Sequence, residues 1–184
     1  MEFGKVLHTF KSRKGNMVEF RYPTKDEFQP LWNFACDLAA EDTFVELSGL
    51  PPKEAEEKKW FETMIKDVEN RDAIYVHAYT NNRFIGNGRV LKGKYRHSHV
   101  GHMGISLVPE FREEGIGTEL MQTLIKQAPD IGIRVLELSC FENNSRALHV
   151  YEKLGFIKIG TMPAAIAWKD GYVGEVKMYL PLVS

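Results

Sequence analysis

Residues 107–118 read Leu-Val-Pro-Glu-Phe-Arg-Glu-Glu-Gly-Ile-Gly-Thr. An apolar stretch, Val100 to Val108, leads into them, and apolar residues recur at helical spacing after them, at Leu120 and Leu124. The pattern predicts a strand, a glycine-bearing loop and a helix. Glycines let the backbone approach a ligand, and the first amides of a helix point outward at the positive end of its dipole. The segment is therefore a candidate phosphate-binding loop.

Two well-known phosphate-binding motifs disagree with these residues. The dinucleotide fingerprint requires a third glycine near Leu120 and an acidic residue at the end of the next strand, where Cys140 and Phe141 stand. A P-loop requires Gly-Lys-Ser/Thr, and that triplet does not occur. The shorter pattern Arg/Gln-x-x-Gly-x-Gly/Ala remains.

Length and composition favour one soluble domain. The chain has 184 residues, of which 43% are hydrophobic, so we expect a single domain over 1–184, with residues 1–16 as an N-terminal strand or extension. Lys and Arg number 24 against 25 Asp and Glu, which argues against a nucleic-acid partner. No apolar run approaches the ~20 residues of a membrane helix, so no membrane partner is expected. Cys36 and Cys140 fit reduced thiols, which indicates a cytoplasmic protein.

The order of predicted elements indicates an α/β (α+β) fold with a mixed sheet. We expect about seven strands and about four helices, with an antiparallel N-terminal part followed by a parallel pair. The predicted strands cover 4–10, 17–22, 73–79, 84–91, 100–108, 133–140, 156–162 and 171–180. The first predicted helix follows a capping box formed by Thr24 and Glu27. The other three cover residues 53–70, the segment after the glycine loop, and residues 144–154.

A second motif decides between the ligands that such a loop could bind. Residues 144–156 read Asn-Ser-Arg-Ala-Leu-His-Val-Tyr-Glu-Lys-Leu-Gly-Phe. Together the two blocks resemble the acetyl-CoA signatures of the GNAT N-acetyltransferase superfamily, in order and at the usual spacing. The resemblance implies the GNAT fold, with the cofactor lying where two parallel strands splay apart.

This resemblance implies specific contacts with acetyl-CoA. The pantetheine arm should bind the backbone of Ile105, Ser106 and Leu107, and the pyrophosphate should bind the loop. The loop residues are Arg112, Glu113, Glu114, Gly115, Ile116, Gly117 and Thr118, with the Thr118 hydroxyl as an added donor. The side chains of Glu113 and Glu114 are expected to point to solvent, because carboxylates repel phosphate. Asn144 should combine helix capping with a cofactor contact, with Asn143 as the alternative.

The resemblance also implies catalytic roles. Tyr151 occupies the family position of the general acid that protonates the departing thiolate, although its spacing from Ala147 also fits a core aromatic. Some relatives carry a glutamate base at the position of Ser139, and serine is a poor base. Others use an acidic residue near the start of the strand before the loop, where His102 stands here; a surface histidine is the alternative interpretation.

A metal centre is not expected. His97 and His99 would project to one face of a strand, but His102 has the opposite parity and no cysteine or carboxylate joins them. The chemistry implied by the resemblance needs no metal.

The acceptor site is expected to contain Glu41, Phe44, Glu46 and Trp168, where the acids would attract a cationic amine and the aromatics would form apolar walls. A plain polar loop explains the same acids.

The blocks look most like the branch of ribosomal-protein, polyamine and small-amine acetyltransferases. The function implied is acetyl transfer from acetyl-CoA to a primary amine by direct attack, the acceptor being a polyamine or small amine, or a protein N-terminal or lysine amine. The alternative is a non-catalytic acyl-CoA-binding sensor or interaction module. Free sheet edges also suggest a homodimer.

Overall fold

The computed structural model describes residues 1–41, 43–44 and 51–182. Within them the strands are β1 (Val6–Lys11), β2 (Met17–Arg21), β3 (Ala73–Thr80), β4 (Arg83–Lys92), β5 (Val100–Leu107), β6 (Val135–Phe141), β7 (Ile157–Trp168) and β8 (Gly171–Pro181). The α-helices are α1 (Phe28–Glu41), α2 (Glu54–Asn70), α3 (Ile116–Gln127) and α4 (Ser145–Lys153).

The strands form one mixed sheet in the order β1-β2-β3-β4-β5-β6-β8-β7. Every neighbouring pair is antiparallel except β5 and β6, which are parallel. This confirms the predicted mixed sheet with its antiparallel N-terminal part and parallel pair. The described sheet has eight strands, one more than the expected total of about seven, since the N-terminal segment predicted as a strand or extension pairs along β2 as a full strand.

Helices cover both faces of the sheet. On one face, the Trp60 ring of α2 meets the Tyr75 ring of β3 edge-on, with 6.0 Å between their centroids. The next residue of β3, Val76, pairs with Gly88 of β4. A Cβ at Gly88 would lie 2.7 Å from a methyl of Leu124 in α3. Since neighbouring residues of a strand point to opposite faces, α2 and α3 lie on opposite sides of the sheet.

The start of α1 is fixed by a buried carboxylate. The Thr24 amide donates to Glu27 Oε2 at 3.0 Å, as a capping box predicts, but the Thr24 hydroxyl bonds to Asp26 and the helix begins only at Phe28. Glu27 Oε2 also lies 2.7 Å from Nδ1 of the buried His77. Burial alone would raise the pKa of Glu27, but its hydrogen bonds with His77 and Thr24 outweigh burial and lower the pKa to about 2. The pair ties α1 to the centre of the sheet.

The last hairpin is longer than predicted. The strand expected over 156–162 continues to Trp168, because pairing with β8 resumes after an irregularity between Met162 and Ile166. The predicted turn at Lys169-Asp170-Gly171 is present, with Lys169 at a φ of 50°. The hairpin therefore carries Trp168 to its tip.

Candidate functional site

An opening separates the inner edges of β5 and β6. Their parallel pairing covers three positions and ends at His102 opposite Glu137. Beyond this point β5 stays paired with β4 as far as Leu107, and β6 stays paired with β8 as far as Phe141. Each strand thus stays hydrogen-bonded to its other neighbour, β4 or β8. The backbone amides and carbonyls on the two edges that face the opening remain able to bind a ligand.

Alternate residues of β5 direct their backbone amides and carbonyls into this opening. The Val108 amide donates to the Ile85 carbonyl of β4 at 3.0 Å, and the Leu107 carbonyl instead accepts from the Arg112 side chain. Because hydrogen bonding alternates along an antiparallel pair, Leu107 and Ile105 direct their amides and carbonyls away from β4. Ser106 directs its backbone amide and carbonyl toward β4. The predicted contact of Ser106 with the pantetheine arm is therefore open to its side chain but not to its backbone.

The loop between β5 and α3, beside the opening, carries amides that donate no hydrogen bond to any described residue. Glu113 and Gly115 have φ values of 65° and 85°, and α3 begins at Ile116, whose side chain is fully buried. Among the described residues, none of the six amides from Glu113 to Thr118 donates a hydrogen bond; the first that does is Glu119, to the Gly115 carbonyl at 3.1 Å. Six free donors at the positive end of a helix form a binding site for an anion.

Gly117 keeps the first turn of α3 close to β5. A Cβ at this position would lie 3.3 Å from the Ile105 Cδ1 atom and 3.6 Å from the Leu107 Cδ1 atom. A larger side chain there would push the helix terminus away from the strand. The glycine therefore brings the amides and the opening together.

The Arg112 side chain has partners other than a cofactor. Its Nη2 donates to Glu41 Oε2 at 2.7 Å, its Nη1 bonds to the other Glu41 oxygen, and its Nε donates to the Leu107 carbonyl at 3.0 Å. This two-point ion pair joins the end of α1 to the loop. The charge of Glu41 is thus balanced by Arg112, and a cationic amine at Glu41 stays a prediction that would have to compete with this pair. Glu46, its predicted companion, lies outside the described residues.

The two loop glutamates differ. Glu113 is exposed, as predicted, and pairs with Arg146 of α4 at 2.8 Å. Glu114 was predicted to point to solvent and does not, because its side chain is only 2% exposed and lies beneath the turn between β1 and β2. A hydrogen bond from Ser12 lowers the pKa of Glu114, with smaller contributions from Asn16 and Lys14 acting against the effect of burial. Glu114 is therefore an ionised carboxylate held by the turn between β1 and β2.

The predicted general acid lies on α4. Asn144 caps this helix through its Oδ1, which accepts from the Ala147 amide at 3.2 Å, as predicted; Asn143 is exposed. Tyr151 is partly buried, and its ring lies 6.1 Å from the Phe156 ring. Burial raises the pKa of Tyr151, and the thiol of Cys140 in β6 raises it further. The phenol is therefore protonated at neutral pH.

The predicted base lies where the opening begins. His102 Nδ1 is 3.8 Å from Glu137 Oε1, and both side chains are about half exposed. Sequence reasoning did not find Glu137; the parallel register of β5 and β6, which places it beside His102, would have identified it. Strand alternation puts His102 and Cys140 on opposite faces of the sheet, so His102 and Tyr151 approach the opening from opposite sides.

Three aromatic rings form a cluster on the face that carries His102. Phe44 stacks on Trp168 with 4.9 Å between centroids and 3° between ring planes. Phe141, at the end of β6, meets both rings edge-on, at 5.6 Å from Phe44 and 5.3 Å from Trp168. The structure thus brings two predicted acceptor residues together and adds Phe141, which alternation along β6 places on the same face as Glu137. The cluster forms an apolar wall beyond the opening.

Two other kinds of feature are absent from the part of the chain that the structure describes. Neither the His97–His102 region nor any other described segment gathers three His, Cys, Asp or Glu side chains in a metal-binding arrangement. Nor does a described helix combine the length and the apolar character required to cross a membrane.

Comparison with known proteins relates this geometry to a family. The sequence profile of the acetyltransferase (GNAT) family matches residues 32–156. YwnH of Bacillus subtilis, which carries a provisional assignment as a phosphinothricin acetyltransferase, is 31% identical over 86 residues, or 47% of this chain and 52% of that protein. The L-amino acid N-acyltransferase MnaT of Escherichia coli is 32% identical over 69 residues, or 38% of this chain and 39% of that protein. The chain thus spans about half or less of the length of these curated relatives.

A solved structure extends the likeness over the whole fold. The ribosomal L7/L12 α-N-protein acetyltransferase RimL, in complex with coenzyme A, superposes with a TM-score of 0.80 at 16% identity, covering 96% of this chain and 98% of that chain. Because the family profile covers more than half of the chain, including the glycine loop and the second signature, the assignment rests on sequence as well as shape. The chain therefore belongs to the acetyltransferase (GNAT) family.

Proposed function

We propose that this protein is an acetyl-CoA-dependent N-acetyltransferase that transfers the acetyl group to a primary amine by direct attack. The observation that carries the proposal is a set of six amides, Glu113 to Thr118, that donate no hydrogen bond to any described residue and follow β5 at the opening between β5 and β6. These amides and the Thr118 hydroxyl suit a pyrophosphate. The inner edge of β5, with Ile105 and Leu107, suits the amide groups of an extended pantetheine arm.

In the proposed reaction, the amine nitrogen forms a bond to the thioester carbonyl carbon and the C–S bond then breaks. The carbonyl oxygen carries negative charge in the tetrahedral intermediate. An amide of β5 directed into the opening, near Leu107, is placed to donate to that oxygen. The fixed sheet means that this donor needs no rearrangement as the charge develops.

Tyr151 is the proposed proton donor to the departing thiolate. Burial raises the pKa of the Cys140 thiol, which is close to this tyrosine, to about 11. A CoA thiolate leaving in the same surroundings would be similarly basic, which helps it to take a proton from a phenol whose pKa is also raised. The tyrosine would regain its proton from solvent after the product leaves.

His102 is the proposed acceptor of the amine proton. It lies on the side of the opening that faces the aromatic cluster, and its Nδ1 atom is 3.8 Å from Glu137 Oε1. The exposure of both side chains allows a water molecule to relay the proton. This arrangement leaves Ser139 without a role as base.

The acceptor is a primary amine that fits beside the aromatic cluster. Polyamines, other small amines and protein N-terminal or lysine amines remain the proposed classes, and the names of MnaT and RimL add free amino acids and support protein N-termini. Glu41 is held by Arg112, so recognition of a cationic acceptor through that carboxylate is not part of the proposal.

The test is CoA release from acetyl-CoA, followed with a thiol reagent, in the presence of polyamines, L-amino acids and peptides with free N-termini. We expect turnover with at least one amine class, and calorimetric binding of acetyl-CoA without any amine. Binding without turnover by any amine would favour the non-catalytic acyl-CoA-binding module. Absence of acetyl-CoA binding would contradict the donor site itself.

A further inference from the structure

The turn between β1 and β2, Ser12 to Asn16, lies directly against the glycine loop. Ser12 Oγ donates to Glu114 Oε2 at 2.6 Å, and Asn16 Nδ2 donates to the same oxygen at 2.9 Å. Lys14 Nζ lies 3.4 Å from the other carboxylate oxygen. The Arg13 amide donates to the Glu114 carbonyl at 3.0 Å, so both the side chain and the backbone of Glu114 are held.

These contacts hold the part of the loop whose backbone is unusual. Glu113 and Gly115, on either side of Glu114, both have positive φ, whereas Glu114 does not. Alternation of this kind curves the chain so that successive amides converge on one side. A non-glycine residue with positive φ, such as Glu113, is disfavoured in isolation. The buried carboxylate between them, itself 2% exposed, stabilises the conformation before any ligand binds.

Arg13 differs from the other cations around the loop. Arg112 is paired with Glu41, Arg146 with Glu113, and Lys14 with Glu114. Arg13 makes no ion pair with any described residue and is exposed. Its Nε atom lies 3.5 Å from the position that a Gly115 Cβ would occupy, so its guanidinium group is adjacent to the free amides.

We propose that the β1–β2 turn is part of the cofactor site, holding the loop in its binding conformation through Glu114 and adding the positive charge of Arg13 to the phosphate-binding amides. This inference rests on the proposed function. Glu114 is a positioning residue, because it acts through the loop, and Arg13 contacts a phosphate of CoA. The proposal extends the site to a segment nearly a hundred residues before the glycine loop, outside the region that the family profile matches.

The positioning role is tested with Glu114→Gln, which keeps the size of the side chain and removes its charge, and with Ser12→Ala, which removes the shortest hydrogen bond without altering the loop. We expect calorimetry to show about tenfold weaker CoA binding for Glu114→Gln and a smaller loss for Ser12→Ala. With an amine found to turn over, KM for acetyl-CoA should rise while kcat stays within about twofold. Glu110→Gln, which removes an exposed carboxylate paired with Arg83, is the control and should bind like the wild type.

The charge role is tested with Arg13→Gln, compared with Lys5→Gln at the far end of the same hairpin. We expect about fivefold weaker CoA binding for Arg13→Gln at low salt, a smaller difference at high salt, and no change for Lys5→Gln. Dephospho-CoA, which lacks the 3′-phosphate, identifies the group contacted. An equal loss with both ligands assigns Arg13 to the pyrophosphate, and a loss confined to CoA assigns it to the 3′-phosphate.

Wild-type affinity in Arg13→Gln, or unchanged KM and affinity in both Glu114→Gln and Ser12→Ala, would overturn the corresponding half of the proposal. A fall in kcat with unchanged KM would also overturn the positioning role, because the loop would then act on the chemical step. Failure of the wild-type chain to bind CoA would instead overturn the proposed function, and this inference with it.

Discussion

The proposed donor region and the proposed acceptor region are built in different ways. The donor region is formed by backbone: six amides of one loop and the inner edge of β5. The acceptor region is formed by side chains from three distant parts of the chain, Phe44, Phe141 and Trp168. A backbone site depends little on side-chain identity and suits a constant donor, whereas a side-chain site can vary with the amine. Variants of the two regions should therefore affect different ligands.

The largest effect is expected from Gly117→Leu. A side chain here has little room between α3 and β5, since even a Cβ would lie 3.3 Å from Ile105 Cδ1. The helix terminus must shift, and we expect calorimetry to show at least about a hundredfold weaker acetyl-CoA binding. Gly160→Leu, where a Cβ would meet no atom within 4 Å, is the matched control and should bind normally. Tight binding by a folded Gly117→Leu variant would show that the loop is not the donor site.

The next effect is expected from Tyr151→Phe, which removes only the hydroxyl of the proposed proton donor. We expect kcat to fall about a hundredfold because the thiolate loses its proton donor, while acetyl-CoA affinity stays unchanged. Steady-state kinetics with a saturating amine and calorimetry measure the two quantities. An unchanged kcat would make Tyr151 a packing residue beside Phe156.

His102→Gln should reduce kcat/KM for the amine about tenfold without altering acetyl-CoA binding, because solvent can replace an exposed base in part. His99→Gln, an exposed histidine just before β5, serves as the control. Equal activity of both variants would exclude His102 as the proton acceptor.

The smallest effect is expected from Trp168→Ala, which removes the ring stacked on Phe44. We expect KM for the amine to rise about fivefold and acetyl-CoA affinity to stay the same, because the change is confined to the acceptor side. Tyr172→Ala alters an exposed ring on the opposite face of the same hairpin and should leave both values unchanged. A loss of acetyl-CoA affinity in Trp168→Ala would show that the two regions are not independent.

The donor region could be predicted from the sequence because its determinants are local. Two glycines, a preceding apolar strand and a following helix all lie between Val100 and Gln127, and the cap at Asn144 depends on the Ala147 amide three residues later. The same locality explains why the element order and the parallel pair were predicted correctly. Helical and strand periodicities are properties of short segments.

The features that the sequence did not predict depend on contacts between residues that are distant along the chain. Glu41 was predicted to attract a cationic amine, and the structure pairs it with Arg112, 71 residues later. Glu114 was predicted to be solvated, but Ser12, 102 residues earlier, buries it. Phe141 and Glu137 gain their roles from strands that meet only in the folded sheet. Charge and burial at such positions follow from tertiary contacts, which no local pattern encodes.

The most direct test of the central claim is a crystal structure of the protein with CoA. We expect the pyrophosphate on the amides of Glu113 to Thr118 and the pantetheine arm between β5 and β6. We also expect the thiol within about 4 Å of the Tyr151 hydroxyl, a distance at which sulfur accepts a hydrogen bond. CoA bound elsewhere, or an opening closed by continued pairing of β5 and β6 beyond His102 and Glu137, would contradict it.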